Sequence, residues 1–274
     1  MENKVLVLGS TGKTGKRVAE RLKNLNISTR LGSRSSQTPF DWENSSNWHN
    51  VLEGVESVYI TFQPDLAVPQ ALEKINLFSQ KAKEAKVKKL VLLSGRGEKE
   101  AQACEQVIVQ SGLEWTVIRT SWFMQNFSEN FILDSILNNE LVLPIIKASE
   151  PFVDADDIAD VAVACLTSNS HNGKIYELTG PELLSFETAT KIISTKLNRA
   201  ISYTEIPMEN YEAALRSYQL PEDFIWLIKY LFTEVLDGRN EYLSNDVLNV
   251  LGRKPGSFEE YVNKTINTGV WAIQ

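Results

Sequence analysis

Three regularly spaced glycines stand near the amino terminus, between an apolar run and an amphipathic run. Gly9, Gly12 and Gly15 lie in the stretch KVLVLGSTGKTGKRVAERL, residues 4–22. The apolar run indicates a buried strand and the amphipathic run a helix. A tight turn between them favours glycine, because its backbone adopts unusual dihedral angles and lets a phosphate approach closely. The free N–H groups at the start of the helix would then face the negative charge.

The context of this loop predicts that it binds the pyrophosphate of a dinucleotide. It opens a strand–helix–strand unit, and no Gly-Lys-Ser/Thr follows at the interval that a P-loop requires. A glycine-rich turn without a ligand is the alternative. The residues that we expect at the phosphates include three hydroxyl donors and are Gly9, Ser10, Thr11, Gly12, Lys13, Thr14 and Gly15.

The end of the second strand, near residues 27–32, indicates which dinucleotide is bound. An NAD site usually has an acidic residue there that binds the ribose 2′-hydroxyl, and residues 21–40 contain neither Asp nor Glu. They contain Arg30 and Arg34, the latter in LGSRSS. A guanidinium beside serine hydroxyls suits a 2′-phosphate, so the sequence favours NADP(H). The alternative is that Arg34 is a solvated loop cation.

The ends of later strands predict the rest of the crevice. A short strand over residues 40–42 would place Asp41 and Trp42 beside the adenine. Parallel α/β sheets bind ligands at the carboxyl ends of their strands. The residues expected to flank the nicotinamide half therefore end two further strands and are Phe62, Gln63, Ser94 and Gly95.

Apolar strand patterns alternate with helical patterns through the first half of the chain. The strands are expected near residues 5–9, 27–32, 40–42, 57–62, 88–95 and 114–120, and the helices near residues 14–24, 66–85 and 99–111. Uninterrupted apolar strands in this alternation predict an α/β protein with a Rossmann-type, doubly wound parallel sheet.

The second half is less regular and predicts a small C-terminal α/β lobe. Its first helix is expected to be capped by Asp156 or Asp157. A strand–helix–strand pattern and further helices follow. We therefore expect residues 1–150 to form the NADP-binding core and residues 151–274 to form a substrate-binding lobe interleaved with it.

Composition excludes several classes of function. The 274 residues carry a net charge of -7, which argues against nucleic acid or an anionic membrane as the main partner. No apolar run has the length of a membrane span or of a signal-peptide core, and the two cysteines are interpreted as reduced thiols, so a cytoplasmic protein is expected. His49 and His171 are isolated, so no metal site is expected. The aromatic helix over residues 221–235 is expected to be a lid or the surface of a homodimer, and packing in the core is an equal alternative.

Several longer stretches carry a family resemblance. VLVLGSTGKTG, FDWENSSNWHNVLEGVESVYITF, VLLSGRGE, SGLEWTVIRTSWFMQNF and FVDADDIADVA together resemble the NmrA-like branch of the atypical short-chain dehydrogenases. The segment GPELLSFETATKIISTKLNRAISYTEI is similar to the matching part of the fungal ergot-alkaloid reductases, the agroclavine and festuclavine dehydrogenases. The resemblance covers nearly the whole chain. It implies a Rossmann core, NADP(H), and a family of reductases that also includes non-catalytic redox sensors.

The sequence departs from the superfamily at its catalytic pair, a Tyr and a Lys four residues later. Matching SGLEWTVIR and Glu105 to the family pattern puts Gly97 at the Tyr position and Ala101 at the Lys position. Glu98 and Lys99, which stand nearby, are interpreted as a solvated charge pair at a helix start. The usual general acid for ketone reduction is therefore expected to be missing.

This departure favours an acceptor that needs no acid. Reduction of a ketone develops an alkoxide that needs a proton donor, whereas an iminium becomes a neutral amine. Placement of the acceptor and exclusion of water then carry most of the catalysis. The sequence thus favours an NADPH-dependent imine or iminium reductase. A quinone or azo reductase and a non-catalytic NADP(H)-sensing regulator are the alternatives.

The segment TSWFMQNF is expected to line the substrate site. It follows a strand whose last residues, Arg119 and Thr120, would contact the nicotinamide carboxamide, although Arg119 could equally form an internal salt bridge. The rings suit a flat apolar or cationic substrate, and packing between lobes is the alternative. The expected substrate-binding residues are Trp122, Phe123, Met124, Asn126, Phe127 and Phe152.

Overall fold

Two compact units make up the chain. The computed structural model describes residues 4–129 and 132–273. Among these, the first unit contains residues 4–120, 155–178 and 246–253, and the second contains the remaining segments. The expected boundary at residue 150 differs from this division, because residues 121–150 lie in the second unit and residues 155–178 in the first.

The strands are numbered in chain order and form two sheets. They are β1 (Lys4–Leu8), β2 (Thr29–Gly32), β3 (Val55–Ile60), β4 (Lys89–Gly95), β5 (Glu114–Thr120), β6 (Glu140–Pro144), β7 (Lys174–Leu178) and β8 (Ser202–Ile206). The sheet of the first unit has the order β2-β1-β3-β4-β5-β7, and its neighbouring strands are parallel. β6 and β8 form a parallel pair in the second unit.

The helices are also numbered in chain order. They are α1 (Lys13–Asn24), α2 (Trp48–Leu52), α3 (Ala71–Glu84), α4 (Lys99–Val109), α5 (Ile132–Leu137), α6 (Ala155–Thr167), α7 (Phe186–Lys196), α8 (Met208–Ser217), α9 (Glu222–Tyr230), α10 (Asp246–Leu251) and α11 (Phe258–Ile266). Across residues 4–129 and 132–273, none of the helices has the length and apolar character needed to cross a membrane.

Both faces of the larger sheet are buried, as the apolar strands predict. On one face, Leu6, Ile60 and Leu92 pack in a cluster with residues of α2, α3 and α4. The residues between them in the strands, such as Val7 and Val91, are also buried. α1 and α6 pack together and contact strands of this sheet. The Rossmann-type, doubly wound α/β fold is confirmed.

The expected strand over residues 40–42 is wrong. Asp41 pairs only with Asn44, through an isolated antiparallel bridge in a turn. Phe40 and Trp42 are apolar because they enter an aromatic cluster with Trp48, a residue of α2, and not because they extend a sheet. The sequence interpretation missed α2.

Two helix starts also differ from expectation. α3 begins at Ala71, and not near residue 66, because the preceding loop contains two prolines and an Asp65 side chain that accepts the N–H of Ala67. α6 begins at Ala155, so Asp156 and Asp157 lie within its first turn and are not its N-cap. Their carboxylates form ion pairs within the first unit, Asp156 with Arg21 and Asp157 with Arg253.

The second unit has its own aromatic core. Phe127, Phe152, Phe186 and Phe258 are almost fully buried and contact one another edge to face or at a tilt. Helices α5, α7, α8, α9 and α11 belong to this unit together with the β6–β8 pair. On α9, the indole of Trp226 is 41% exposed and stacks on Tyr230.

Candidate active site

The glycine loop joins β1 to α1 with no room for side chains at two of its glycines. Gly9 has a φ of +63°, and a Cβ there would lie 2.2 Å from the Thr61 hydroxyl oxygen. A Cβ on Gly15 would lie 2.2 Å from the backbone oxygen of Gly9. Helix and loop backbones are therefore in direct contact. The tight strand–helix turn that the glycines predict is thus present.

The amino end of α1 suits an anion. Gly12 occupies the N-cap without a side-chain cap, and the first turn contains no acidic residue. The partial positive charge of the helix start is therefore not offset locally by a carboxylate. Of the predicted hydroxyl donors, Thr11 is exposed, whereas Ser10 and Thr14 are buried beside the loop. A loop that only Gly can form, leading to an uncapped helix start, fits a pyrophosphate group.

The turn after β2 presents serines and an exposed arginine. The N–H of Ser33 donates to the Ser36 hydroxyl at 3.0 Å, and that hydroxyl donates back to the Ser33 carbonyl. Arg34 is exposed at the tip, and nothing in residues 4–129 and 132–273 forms a hydrogen bond or ion pair with its guanidinium. Arg30 differs, because its guanidinium donates to carbonyls at the end of α2, including that of Val51 at 2.6 Å. Arg34 therefore has its side chain available for a phosphate.

The residues predicted to flank the adenine form part of a packed cluster. Trp42 is 8% exposed, and its indole N–H donates to the Thr61 carbonyl at 3.0 Å. The centroids of the Trp42 and Phe62 rings lie 4.8 Å apart. The Asp41 carbonyl accepts the indole N–H of Trp48, and its carboxylate accepts the N–H of Glu43. The structure thus brings Trp42 and Phe62 together at the loop that also packs on Gly9.

The end of β4 contains a buried polar network. The Ser94 hydroxyl donates to Glu105 at 2.7 Å, and Arg119 forms an ion pair with the same carboxylate at 2.7 Å. A second ion pair joins Arg119 to Glu177 at 3.3 Å. Ser94 and Arg119 therefore use their side chains internally. Of the two roles expected for Arg119, the structure shows the internal salt bridge.

Glu98 is buried, so its interpretation as part of a solvated charge pair is wrong. Its side chain folds back over the end of β4, where a Cβ on Gly95 would lie 1.9 Å from the Glu98 Oε1. Its carboxyl group forms a hydrogen bond with that of Asp65, in the loop after β3. The other carboxyl oxygen, Oε2, is buried without a hydrogen-bond partner among the described residues.

Burial raises the pKa of Glu98 well above its ordinary value, and the nearby Asp65, Glu100 and Glu105 carboxylates add to the rise. Burial also raises the pKa of Asp65, although the N–H of Ala67 and the hydrogen bond with Glu98 counteract this effect. The pair therefore favours a shared proton between the two carboxyl groups. Sequence reasoning missed this pair, since the two residues are far apart in the chain and only the adjacency of β3 and β4 brings their loops together.

The positions matched to the superfamily dyad lie in the same region. Gly97 is in the turn before α4 with a φ of +75°, a conformation that a Tyr side chain would strain. Ala101 is fully buried in the first turn of α4. The positive φ at position 97 and the full burial at position 101 both suit the small residues that this sequence has.

The predicted substrate residues belong to the second unit and differ in burial. Met124, Phe127 and Phe152 are at most 1% exposed and lie in its aromatic core, which favours a packing role for these three. Trp122, Phe123 and Asn126 are half-buried. The centroid of the Trp122 ring lies 5.3 Å from that of Phe186 and 5.2 Å from that of Phe232. Contact between the six predicted residues and a substrate stays a prediction.

The fold and the glycine loop define a doubly wound α/β protein with a glycine-dependent strand–helix turn. The model of the NmrA-like family matches residues 1–262. The chain belongs to the NmrA-like family. This confirms the resemblance found in the sequence.

Named relatives extend over nearly the whole chain. Agroclavine dehydrogenase of Claviceps fusiformis is 30% identical, with 98% of this chain and 99% of that protein covered. Prestalk A differentiation protein A of Dictyostelium discoideum is 27% identical, with 96% and 92% covered. Among solved structures, the NADPH-dependent quinone oxidoreductase of Escherichia coli in complex with NADPH has a TM-score of 0.80 at 18% identity, with 96% and 100% covered. At that identity the structural likeness supports the fold alone.

Proposed function

We propose that this protein is an NADPH-dependent reductase that reduces an imine, an iminium or a comparable conjugated electrophile. The observation that carries the proposal is the approach of the Gly15 and Gly9 backbones at the start of α1, where a Cβ would lie 2.2 Å from a carbonyl oxygen. Such a turn presents helix N–H groups to a pyrophosphate. Agroclavine dehydrogenase, a relative over the whole chain, is an oxidoreductase by its name.

The choice of NADPH rests on the turn after β2. Arg34 is exposed there beside Ser33 and Ser36, and a guanidinium with hydroxyl donors suits a 2′-phosphate. Positions 21–40 contain no acidic residue that would repel the negative charge of this 2′-phosphate. The E. coli quinone oxidoreductase of the same fold is described as NADPH-dependent.

The choice of acceptor rests on the small residues at positions 97 and 101. Gly97 and Ala101 stand at the positions that we match to the superfamily Tyr and Lys, and neither side chain can protonate an alkoxide. When bound, NADPH supplies a hydride. The half-buried rings of Trp122 and Phe123 would hold a flat acceptor and exclude water from it. An iminium needs no proton in this reaction, and conjugated neutral acceptors are the next class.

The function is tested by mixing the protein with NADPH and a panel of cyclic iminium salts, quinones and azo dyes. Loss of reduced-nicotinamide absorbance with stoichiometric product is expected for at least the iminium class. Tight NADPH binding with no turnover of any acceptor would contradict the proposal. It would instead favour the sensing regulator.

The cofactor is tested with Arg34→Ala, and Lys23→Ala serves as a control that removes one exposed cation from α1. Arg34→Ala should weaken NADPH binding by about 1–3 kcal/mol and leave NADH binding nearly unchanged. Lys23→Ala should change neither affinity. Equal losses for both cofactors in Arg34→Ala would show that the 2′-phosphate lies elsewhere.

A further inference from the structure

The Asp65–Glu98 carboxyl pair, in which Glu98 is buried and Asp65 is half-buried, lies at the sheet edge where the proposed function puts the cofactor. Both residues follow strands that neighbour each other in the sheet, and both loops leave from the carboxyl edge that also holds the glycine loop. Ligands of parallel α/β sheets bind at this edge, at the point where strand order reverses. Here that point falls between β1 and β3, because β2 and β3 lie on opposite sides of β1.

Contacts within the first unit connect the glycine loop with the pair. Thr61, the residue after β3, fills the space above Gly9, and the Gln63 side-chain nitrogen would lie 3.9 Å from a Cβ on Gly12. Two residues further on, Asp65 forms its hydrogen bond with Glu98. The loop after β3 therefore extends from the phosphate-binding turn to the carboxyl pair.

The pair is fixed in position from both sides. Asp65 accepts the Ala67 N–H at 2.8 Å, and the Leu66 carbonyl accepts the Cys104 thiol of α4 at 3.9 Å. Glu98 lies against Gly95, where no Cβ intervenes, and it stands at the N-cap of α4 without using its side chain as a cap. A residue at an N-cap ordinarily turns its oxygen to the helix N–H groups. This one is directed to another carboxyl group instead.

A second negative charge is strongly disfavoured when two carboxyl groups are in hydrogen-bonding contact away from water, so at rest one proton stays between them. The groups around Glu98 strengthen this condition, because the charges of Asp65, Glu100 and Glu105 all oppose its ionisation. The Oε2 atom of Glu98 has no partner among the described residues. A carboxyl group that its surroundings keep protonated can act as a general acid when an acceptor comes within hydrogen-bonding reach of it.

We infer that Glu98, supported by Asp65, is the proton donor of this reductase for neutral acceptors, in place of the superfamily tyrosine. The acceptor class is one that takes up a proton with each hydride: a neutral C=N, an N=N or a quinone. This inference rests on the proposed function. Because an iminium gains no proton, the role of Glu98 separates the acceptor classes.

NADPH, when bound, supplies the hydride to the electrophilic atom and is oxidised to NADP⁺. The π-electron pair of the acceptor moves to its heteroatom, and a bond forms between that heteroatom and the Glu98 proton as the Glu98 O–H bond breaks. Glu98 is left as a carboxylate beside Asp65 and takes a proton from water before the next turnover.

The experiment compares wild type with Glu98→Gln, whose amide keeps the shape and the hydrogen bond to Asp65 but has no acidic proton. Glu73→Gln, an exposed position in the first turn of α3, is the matched control. Single-turnover rates are measured with NADPH and either a quinone or an N-alkyl iminium salt. Glu98→Gln should slow quinone reduction by about 100-fold or more, and iminium reduction should stay within about twofold. Glu73→Gln should match wild type with both.

Two further measurements do not depend on the variant's activity. Wild-type quinone reduction should show a solvent deuterium isotope effect and should slow as the pH rises through the pKa of Glu98, whereas iminium reduction should show neither. In the protein without cofactor, the infrared carbonyl band of a neutral carboxylic acid should persist at neutral pH and disappear in Glu98→Gln. Loss of that band distinguishes proton storage from simple loop packing.

The outcomes separate the two proposals. Quinone reduction by Glu98→Gln at the wild-type rate, or an unchanged infrared band, would overturn the role of Glu98 and leave the reductase proposal standing. Failure of wild type to reduce any acceptor would overturn the reductase proposal and, with it, this inference.

Discussion

Replacing Gly15 with alanine tests the central geometric argument. A Cβ at this position would lie 2.2 Å from the Gly9 oxygen, 2.7 Å from its carbonyl carbon and 3.1 Å from the Ser10 Cα. Carbon–oxygen contacts in proteins lie at about 3.3–3.6 Å, so the start of α1 must move away from the loop by roughly 1 Å. These three nearest atoms all belong to the backbone, so rotation of a side chain cannot relieve the contact.

The magnitude follows from two opposing effects. Alanine is better than glycine inside a helix by about 1 kcal/mol, which favours the variant. Inserting a methyl group into a rigid contact costs about 1–3 kcal/mol. The free energy of unfolding should therefore fall by roughly 0–2 kcal/mol. NADPH affinity should fall more, by about 10- to 100-fold, because the displaced helix start can no longer meet the pyrophosphate at hydrogen-bonding distance.

The assay combines urea unfolding with a titration in which NADPH is added and tryptophan fluorescence is measured. The indole of Trp42, which donates to the Thr61 carbonyl beside the glycine loop, should respond to the cofactor. Glu20→Ala, an exposed change in the same helix, is the control and should alter neither quantity appreciably. A Gly15→Ala protein that binds NADPH as tightly as wild type would refute the reasoning, since the loop would then tolerate a separation of about 1 Å without loss of the site.

Two further predictions concern buried charge. The folded protein raises the pKa of Glu98 above its ordinary value of 4.5, so the folded state keeps a proton that the unfolded state releases. The free energy of unfolding should therefore be greatest below pH 4.5 and should decline as the pH rises through the folded-state pKa. Urea unfolding from pH 5 to 9 should show this decline in wild type and a flatter profile in Glu98→Gln. Arg119→Met should lower the free energy of unfolding by about 3 kcal/mol, because it leaves the fully buried Glu105 charge without its ion pair. Adding Glu105→Gln to the same protein should recover part of this loss. Equal stability of the single and double variants would contradict the second prediction.

The elements that were predicted well are those with a strong local pattern. α1 was expected at residues 14–24 and runs from Lys13 to Asn24, because its apolar side chains recur with the helical period directly after the glycine turn. β5 was expected at residues 114–120 and has those bounds. A strand that is apolar on both faces can be buried only inside a sheet covered on both sides, so fold class followed from such runs.

What could not be predicted depends on contacts between distant residues. Glu98 has the sequence context of a charged helix start, and only the neighbouring loop that carries Asp65 makes it a buried, protonated group. Trp42 is of a residue type that is common in strands, but its ring packs against those of Trp48 and Phe78 and it lies in a turn. β6 was missed because its short run, Glu140–Pro144, acquires a partner only from β8, far along the chain.

The order of strands in the larger sheet has a consequence for how the chain is made. Residues 116–120 of β5 pair with residues 174–178 of β7, and α6, which covers part of the sheet, comes just before β7 in the chain. While a ribosome is still adding residue 150, β5 therefore has an open hydrogen-bonding edge, and the face destined for α6 is bare. Unpaired edges and bare apolar faces are where nascent chains aggregate. Until β7 and α6 have been synthesised, this edge and this face are therefore open to contact with other chains.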